Sequence, residues 1–175
     1  MKIIIKTKRI KVLFFSFILF ILPSCSVSYS FHGGKLNYDL VKTITIHDFP
    51  NRAPLVYPPL SQVFDQALRN RFIEQTRLFP VSNNGDIEIE GEITGYDIQG
   101  IAVKADAYAS QTRLTISVRL KYTNNKEANS DVEQTFSAYS EFDSSSSLDE
   151  VQDELVKKIV DELIDMIYNA TVANW

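Results

Sequence analysis

Between residues 112 and 123 apolar and polar positions alternate without a break: Leu114, Ile116, Val118, Leu120 and Tyr122 against Arg113, Thr115, Ser117, Arg119 and Lys121. A period of two with one apolar face predicts a half-buried antiparallel strand. The same pattern predicts a strand over about 86–96, with Ile87, Ile89, Gly91, Ile93 and Gly95 facing one way and Glu88, Glu90, Glu92 and Thr94 the other. A further strand is predicted over about 132–142, where Val132, Phe136, Ala138 and Phe142 are in phase. Residues 41–47 (VKTITIH) alternate and are rich in β-branched side chains, which predicts the first strand. Two stretches switch to helical spacing. Leu60, Val63, Phe64, Ala67, Leu68 and Phe72 follow Pro58-Pro59, a dipeptide suited to a helix start. Leu148, Val151, Leu155, Ile159, Leu163 and Ile167 form a longer stripe, widened by Val156, Val160 and Ile164. Ser147 and Glu150 have the spacing of a capping box at its start.

Turn chemistry separates these elements. Asn83-Asn84-Gly85 and Asn124-Asn125-Lys126 predict turns, residues 49–59 are a proline-rich loop, residues 100–110 a mixed connection and residues 143–147 a serine-rich break. The order β-α-β-β-β-α, with no internal repeat, predicts one α+β domain: a two-layer sandwich of a four-stranded sheet with two helices on one face.

The amino terminus follows a different rule. Residues 1–24 hold five cations (Lys2, Lys6, Lys8, Arg9, Lys11) and no acid. Residues 12–22 (VLFFSFILFIL) are apolar except for Ser16. Eleven residues fall short of the roughly 20 that span a bilayer, so the stretch reads as a secretory signal. Leu22-Pro23-Ser24-Cys25 resembles the lipobox of bacterial lipoproteins. That resemblance implies a diacylglyceryl thioether on the Cys25 sulfur, cleavage before Cys25 and acylation of the new amino terminus. An ordinary signal with a chance cysteine, or an uncleaved anchor, would share the charge and apolar pattern. Cys25, however, is the only cysteine in the chain and stands where a lipobox needs it. Known sorting rules, applied by resemblance, favour the outer membrane because no Asp follows Cys25. The absence of an acidic run there favours the periplasmic side. The expected organisation is a signal peptide over 1–24, a lipidated tether over 25–40 and the domain over 41–175.

Charge and composition narrow the function. Without residues 1–24, 13 cations face 22 acids, a net of −9. That balance excludes a nucleic-acid binder working by phosphate neutralisation. One cysteine and two histidines cannot assemble a Cys/His zinc site or an internal disulfide. No phosphate loop exists, and nothing places His32 or His47 beside the serine run. No metal, cofactor or catalytic residue is therefore expected. Glu88, Glu90 and Glu92 lie two apart on one strand face, a spacing compatible with a glycosidase-like carboxylate pair. A solvated face explains them more simply. If the strands at 86–96 and 112–123 pair, Glu88 and Glu90 can oppose Lys121 and Arg119. Around the turn at 124–130, Lys121 can oppose Glu133. A cation row flanked by carboxylate rows makes a cross-strand charge ladder, which would be the first role of Arg113, Arg119 and Lys121. Contact with anionic lipid headgroups is the second.

Several segments, taken in order, resemble the LptE family of lipopolysaccharide-assembly lipoproteins, in its Bacteroidota branch. They include Cys25 with Tyr29-Ser30-Phe31, Ile44-Thr45-Ile46, and Phe49-Pro50-Asn51-Arg52-Ala53-Pro54. Leu60-Ser61-Gln62 and Gly91-Glu92-Ile93-Thr94-Gly95-Tyr96 follow, then Arg113-Leu114-Thr115-Ile116. Tyr122-Thr123-Asn124-Asn125-Lys126, Phe142-Asp143-Ser144-Ser145 and Val172-Ala173-Asn174-Trp175 complete the set. The resemblance implies the same β-α-β-β-β-α sandwich and a non-enzymatic outer-membrane lipoprotein. It implies a plug in the lumen of the LptD β-barrel that helps the barrel assemble and assists lipopolysaccharide transport to the outer leaflet. Expected partners are an LptD-like barrel, lipopolysaccharide and the outer membrane through the lipid anchor. A lipopolysaccharide contact would fall to Lys104, Arg113, Arg119 and Lys121. A periplasmic lipoprotein that activates another envelope machine, in cell-wall synthesis or secretion, is the alternative.

Overall fold

A computed structural model describes residues 36–101, 110–127 and 130–172. The signal peptide, Cys25, most of the tether, Lys104 and the tail at 173–175 lie outside the described residues. The elements are β1 (Thr43–Ile46), α1 (Pro59–Gln75), β2 (Phe79–Pro80), β3 (Ile87–Ile101), β4 (Gln111–Asn124), β5 (Val132–Asp143) and α2 (Leu148–Thr171). The α+β class holds, with a difference in strand count. The sheet has five strands in the order β2-β1-β3-β4-β5, not four. The addition is the two-residue β2, which pairs in parallel with β1. It is too short to leave an alternation in the sequence. β1 also runs parallel to β3, while β3, β4 and β5 form an antiparallel meander.

Hydrophobic burial follows the predicted stripes. Leu60, Phe64, Leu68 and Phe72 of α1 are buried, as are Leu155, Ile159, Leu163 and Ile167 of α2 with Val156, Val160 and Ile164. Leu114, Ile116, Val118, Leu120 and Tyr122 form the matching inner face of β4. Leu36 and Val41 are buried too, so the packed body already includes Leu36, inside the stretch assigned to the tether. Phe49 leaves β1 and turns its ring onto Phe64 of α1, with ring centroids 5.0 Å apart. Pro59 takes the first helical position of α1, where its missing N–H costs nothing.

Local details depart from the pattern in two places. β3 carries a bulge between Ile93 and Gly95. The extra residue reverses the phase, so Tyr96 rather than Gly95 faces the core, opposite Ile116. The second departure is at the start of α2. Ser147 occupies the N-cap position, yet its side chain makes no capping hydrogen bond. Ser147→Ala is therefore expected to cost less than the roughly 1 kcal/mol usual for such a change, read as the shift in urea midpoint.

Candidate functional site

Among the described residues, the helices cover one face of the sheet and leave the outer face to solvent. On that face β3 presents Glu88, Glu90 and Glu92, β4 presents Arg113, Arg119 and Lys121, and β5 presents Glu133 and Glu141. The register makes the ladder explicit. Glu90 stands opposite Lys121, and Lys121 opposite Glu133. Glu92 stands opposite Arg119, whereas Glu88 meets Thr123. The predicted pairing of Glu88 with Lys121 and of Glu90 with Arg119 is thus two residues out of register. A slip of two keeps every side chain on its own face, so the hydrophobic pattern could not distinguish the two registers.

Each described cation of the candidate set is already occupied. Lys121 Nζ donates to Glu90 Oε1 at 2.8 Å. That bond holds the Glu90 carboxyl below its usual range and raises the Lys121 ammonium. Arg119 Nη1 lies 3.2 Å from Glu92 Oε1. Arg113 donates to Glu141 Oε1 through Nε at 3.1 Å and Nη2 at 2.7 Å, and its guanidinium sits 4.1 Å over the Tyr139 ring.

The structure brings Arg119 and Lys121 together but not Arg113. Six residues of extended strand separate Arg113 from Arg119, a rise of roughly 20 Å. Arg119 and Lys121 border an open hollow of about 410 Å³ that also meets His47, Asp48, Glu90 and Glu92. Glu133 completes its rim. Two cations there face four carboxylates, so an anion entering the hollow meets net negative charge. His47 and Asp48 were not predicted for this hollow. They sit just past the end of β1, and only the parallel pairing of β1 with β3 carries them beside Glu90. Arg119→Glu with Lys121→Glu places acids opposite Glu90, Glu92 and Glu133. The double change is expected to lower the melting temperature of the protein in the absence of any ligand, with the loss shrinking as salt is added.

Two larger hollows flank α1. One, of about 780 Å³, is bordered by Asp48, Phe49, Asp65 and Arg69. Asp65 accepts the Phe49 N–H, and burial pushes its carboxyl pKa up. The other, of about 690 Å³, lies between the helices beside Tyr57 and Asp153. The Tyr57 hydroxyl donates to Asp153, which pushes its pKa up to about 12. Tyr57 also stacks on Tyr96, whose hydroxyl meets Gln152 Nε2 at 2.5 Å. These contacts join the 51–58 loop, β3 and α2. In the serine run, Ser144 Oγ is 2.8 Å from Thr112 Oγ1, and the Ser145 N–H donates to Asp143. Among the described residues no helix is long and apolar enough to cross a membrane.

Comparison with known proteins adds the family. No curated protein matches the chain. Among solved structures, a minor lipoprotein from Acinetobacter baumannii shares the fold at a TM-score of 0.51 and 12% identity, over 77% of this chain and 94% of that one. A hypothetical protein, CT253 from Chlamydia trachomatis, reaches 0.49 at 11% identity, over 77% and 99% of the two chains. The rare lipoprotein B from Shewanella oneidensis reaches 0.45 at 11% identity, over 75% and 95%. The family model described as LptE, lipopolysaccharide-assembly, matches residues 41–171, which run from two residues before β1 to the end of α2. The chain belongs to the LptE family of lipopolysaccharide-assembly lipoproteins.

Proposed function

We propose that the mature protein is an outer-membrane lipoprotein, acylated at Cys25 and facing the periplasm. It seats as a plug in the lumen of an LptD-like β-barrel, helps that barrel assemble and assists lipopolysaccharide transport. The observation that carries this reading is the family match across the whole folded body, from 41 to 171. The surface chemistry is compatible with it. A barrel lumen is polar, and the outer sheet face offers a charged ladder that includes Glu90–Lys121 and Glu92–Arg119 pairs.

The basic row takes a structural role first. A lipid phosphate reaching Arg113, Arg119 or Lys121 competes with Glu141, Glu92 or Glu90, so these three residues serve lipopolysaccharide only through such an exchange. Affinity capture of the tagged, full-length protein from solubilised outer membranes tests the reading. A very large β-barrel is the expected co-purifying protein, and depletion of the lipoprotein should leave that barrel misassembled. Recovery of a cell-wall or secretion component in its place, with a normal barrel after depletion, would assign the protein to another envelope machine.

A further inference from the structure

The sheet has two edges, and only one is guarded. β2 is two residues long and includes Pro80, which has no N–H to give. At the opposite edge β5 runs for 12 residues, Val132–Asp143. Its register with β4 is unbroken, and it contains no proline and no lysine. Short strands, prolines, lysines and bulges are the usual devices that keep an edge from taking up another strand.

The phase of the ladder shows what this edge presents. The Ser144 N–H donates to the Ser110 carbonyl, one step beyond the Asp143–Gln111 pair. Antiparallel pairs alternate between bonded and non-bonded, so the even-numbered residues of β5 bond to β4. The Asn125 N–H, which donates to the Asp86 carbonyl, gives the same phase from the other side of β4. Glu133, Thr135, Ser137, Tyr139 and Glu141 therefore turn both N–H and C=O away from the sheet, over roughly 27 Å. Among the described residues these groups meet no partner. An edge of this kind binds an extended segment through its main chain.

A second copy fits badly. The two-fold pairing that uses the whole stretch sets Glu133 against Glu141 of the copy at both ends, like charges directly opposite. Arg113 already engages Glu141. Glu133 stands opposite Lys121, whose ammonium is bonded to Glu90. A cation on an incoming segment would complete that end.

We infer that β5 takes an added strand from the partner barrel: an extended segment with a Lys or Arg beside Glu133. The segment lies outside the barrel wall, because closure leaves no wall strand with a free edge. The inference rests on the plug reading and names where the plug is held.

Amide exchange tests it, measured on the full-length protein alone and in the complex captured with its barrel. Alone, the amides of Thr135, Ser137, Tyr139 and Glu141 should exchange fast and those of Phe136, Ala138 and Ser140 slowly. In the complex both sets should be slow. Thr135→Pro and Ser137→Pro each remove an outward donor and no bond to β4, so the variants should fold yet recover the barrel about tenfold less well. Thr135→Ala and Ser137→Ala keep the donors and should recover it as the parent does. Circular dichroism establishes that each variant is folded, and where a proline unfolds the chain the exchange comparison on the parent decides. Outward amides still fast in the complex, or undiminished recovery by folded proline variants, overturn this inference and leave the plug reading standing. Equal losses with the alanine changes overturn it too, giving the contact to side chains. So do slow outward amides in the isolated protein. They assign the edge to a second copy if the slowing grows with protein concentration, and to another segment of this chain if it does not. A parent that recovers no barrel overturns the plug reading as well.

Discussion

Gly91→Val is expected to destabilise the domain by roughly 3 kcal/mol or more, the upper end of what overpacking costs. By strand propensity alone the change should help, since valine is favoured over glycine in strands by up to about 1 kcal/mol. The surroundings reverse the sign. A Cβ on Gly91 would stand 2.2 Å from the Arg119 carbonyl oxygen and 2.4 Å from Phe49 Cε1. The first contact is backbone of the adjacent strand and cannot rotate away. The second is a fully packed ring held between Gly91 and Phe64. Shrinking Phe49 relieves only one of them, so Gly91→Ala with Phe49→Leu should remain less stable than the parent. Gly100 in the same strand is the control, because among the described residues nothing lies within 4 Å of a Cβ placed there. Gly100→Val should be neutral or stabilising. Urea unfolding of the two single variants reads the comparison directly, and equal midpoints would contradict it.

Asp86→Asn is expected to cost about 2 kcal/mol at neutral pH and to flatten the acid limb of the stability profile. The carboxylate accepts the Lys42 N–H at 2.8 Å and the Thr43 N–H at 3.0 Å, and it lies 3.1 Å from Lys126 Nζ. The backbone around it is tied as well. The Asp86 N–H donates to Thr43 Oγ1, and its carbonyl accepts the Asn125 N–H. One residue thus joins the start of β1, the start of β3 and the β4–β5 turn. The backbone bond from Lys42 is the main cause that lowers the Asp86 pKa, to about 2. An unfolded aspartate titrates near 3.9, so the folded state favours the ionised form. The stabilisation is complete above about pH 5 and lost as pH falls through 4 towards 2. Thermal unfolding from pH 7 to pH 2 should show the parent losing this increment while Asp86→Asn does not.

Neither residue was singled out by patterning, and the reasons differ. Gly91 looked like one small position on an apolar strand face. Its constraint comes from Phe49, 42 residues earlier in the chain, whose ring crosses it. Asp86 opened a predicted strand, directly after the Asn-Asn-Gly turn. Its partners Lys42 and Thr43 lie more than 40 residues away, and Lys126 lies 40 residues on in the opposite direction. The ladder was legible as a set of rows, because alternation alone puts Glu90, Lys121 and Glu133 on outer faces. Which glutamate met which cation was not legible. The bulge at Thr94 shifts the register, and a two-residue slip leaves every side chain on its own face. β2 escaped for want of length: two exposed residues, one of them proline, have no period.

The amino-acid order by itself determined the class of the fold, the faces of α1, α2 and β4, those of β3 as far as Ile93, and family membership. All of these follow from local periodicity or from segment order, which need no knowledge of what lies across the core. Tertiary structure alone decided the partners. It showed that Arg113, Arg119 and Lys121 are each neutralised by a glutamate, and that Asp86 ties three elements together. It also placed Phe79 and Val81 on the exposed β2 edge of the sheet. Those outcomes depend on distances between residues remote in sequence, and such distances exist only once the register of the sheet is fixed.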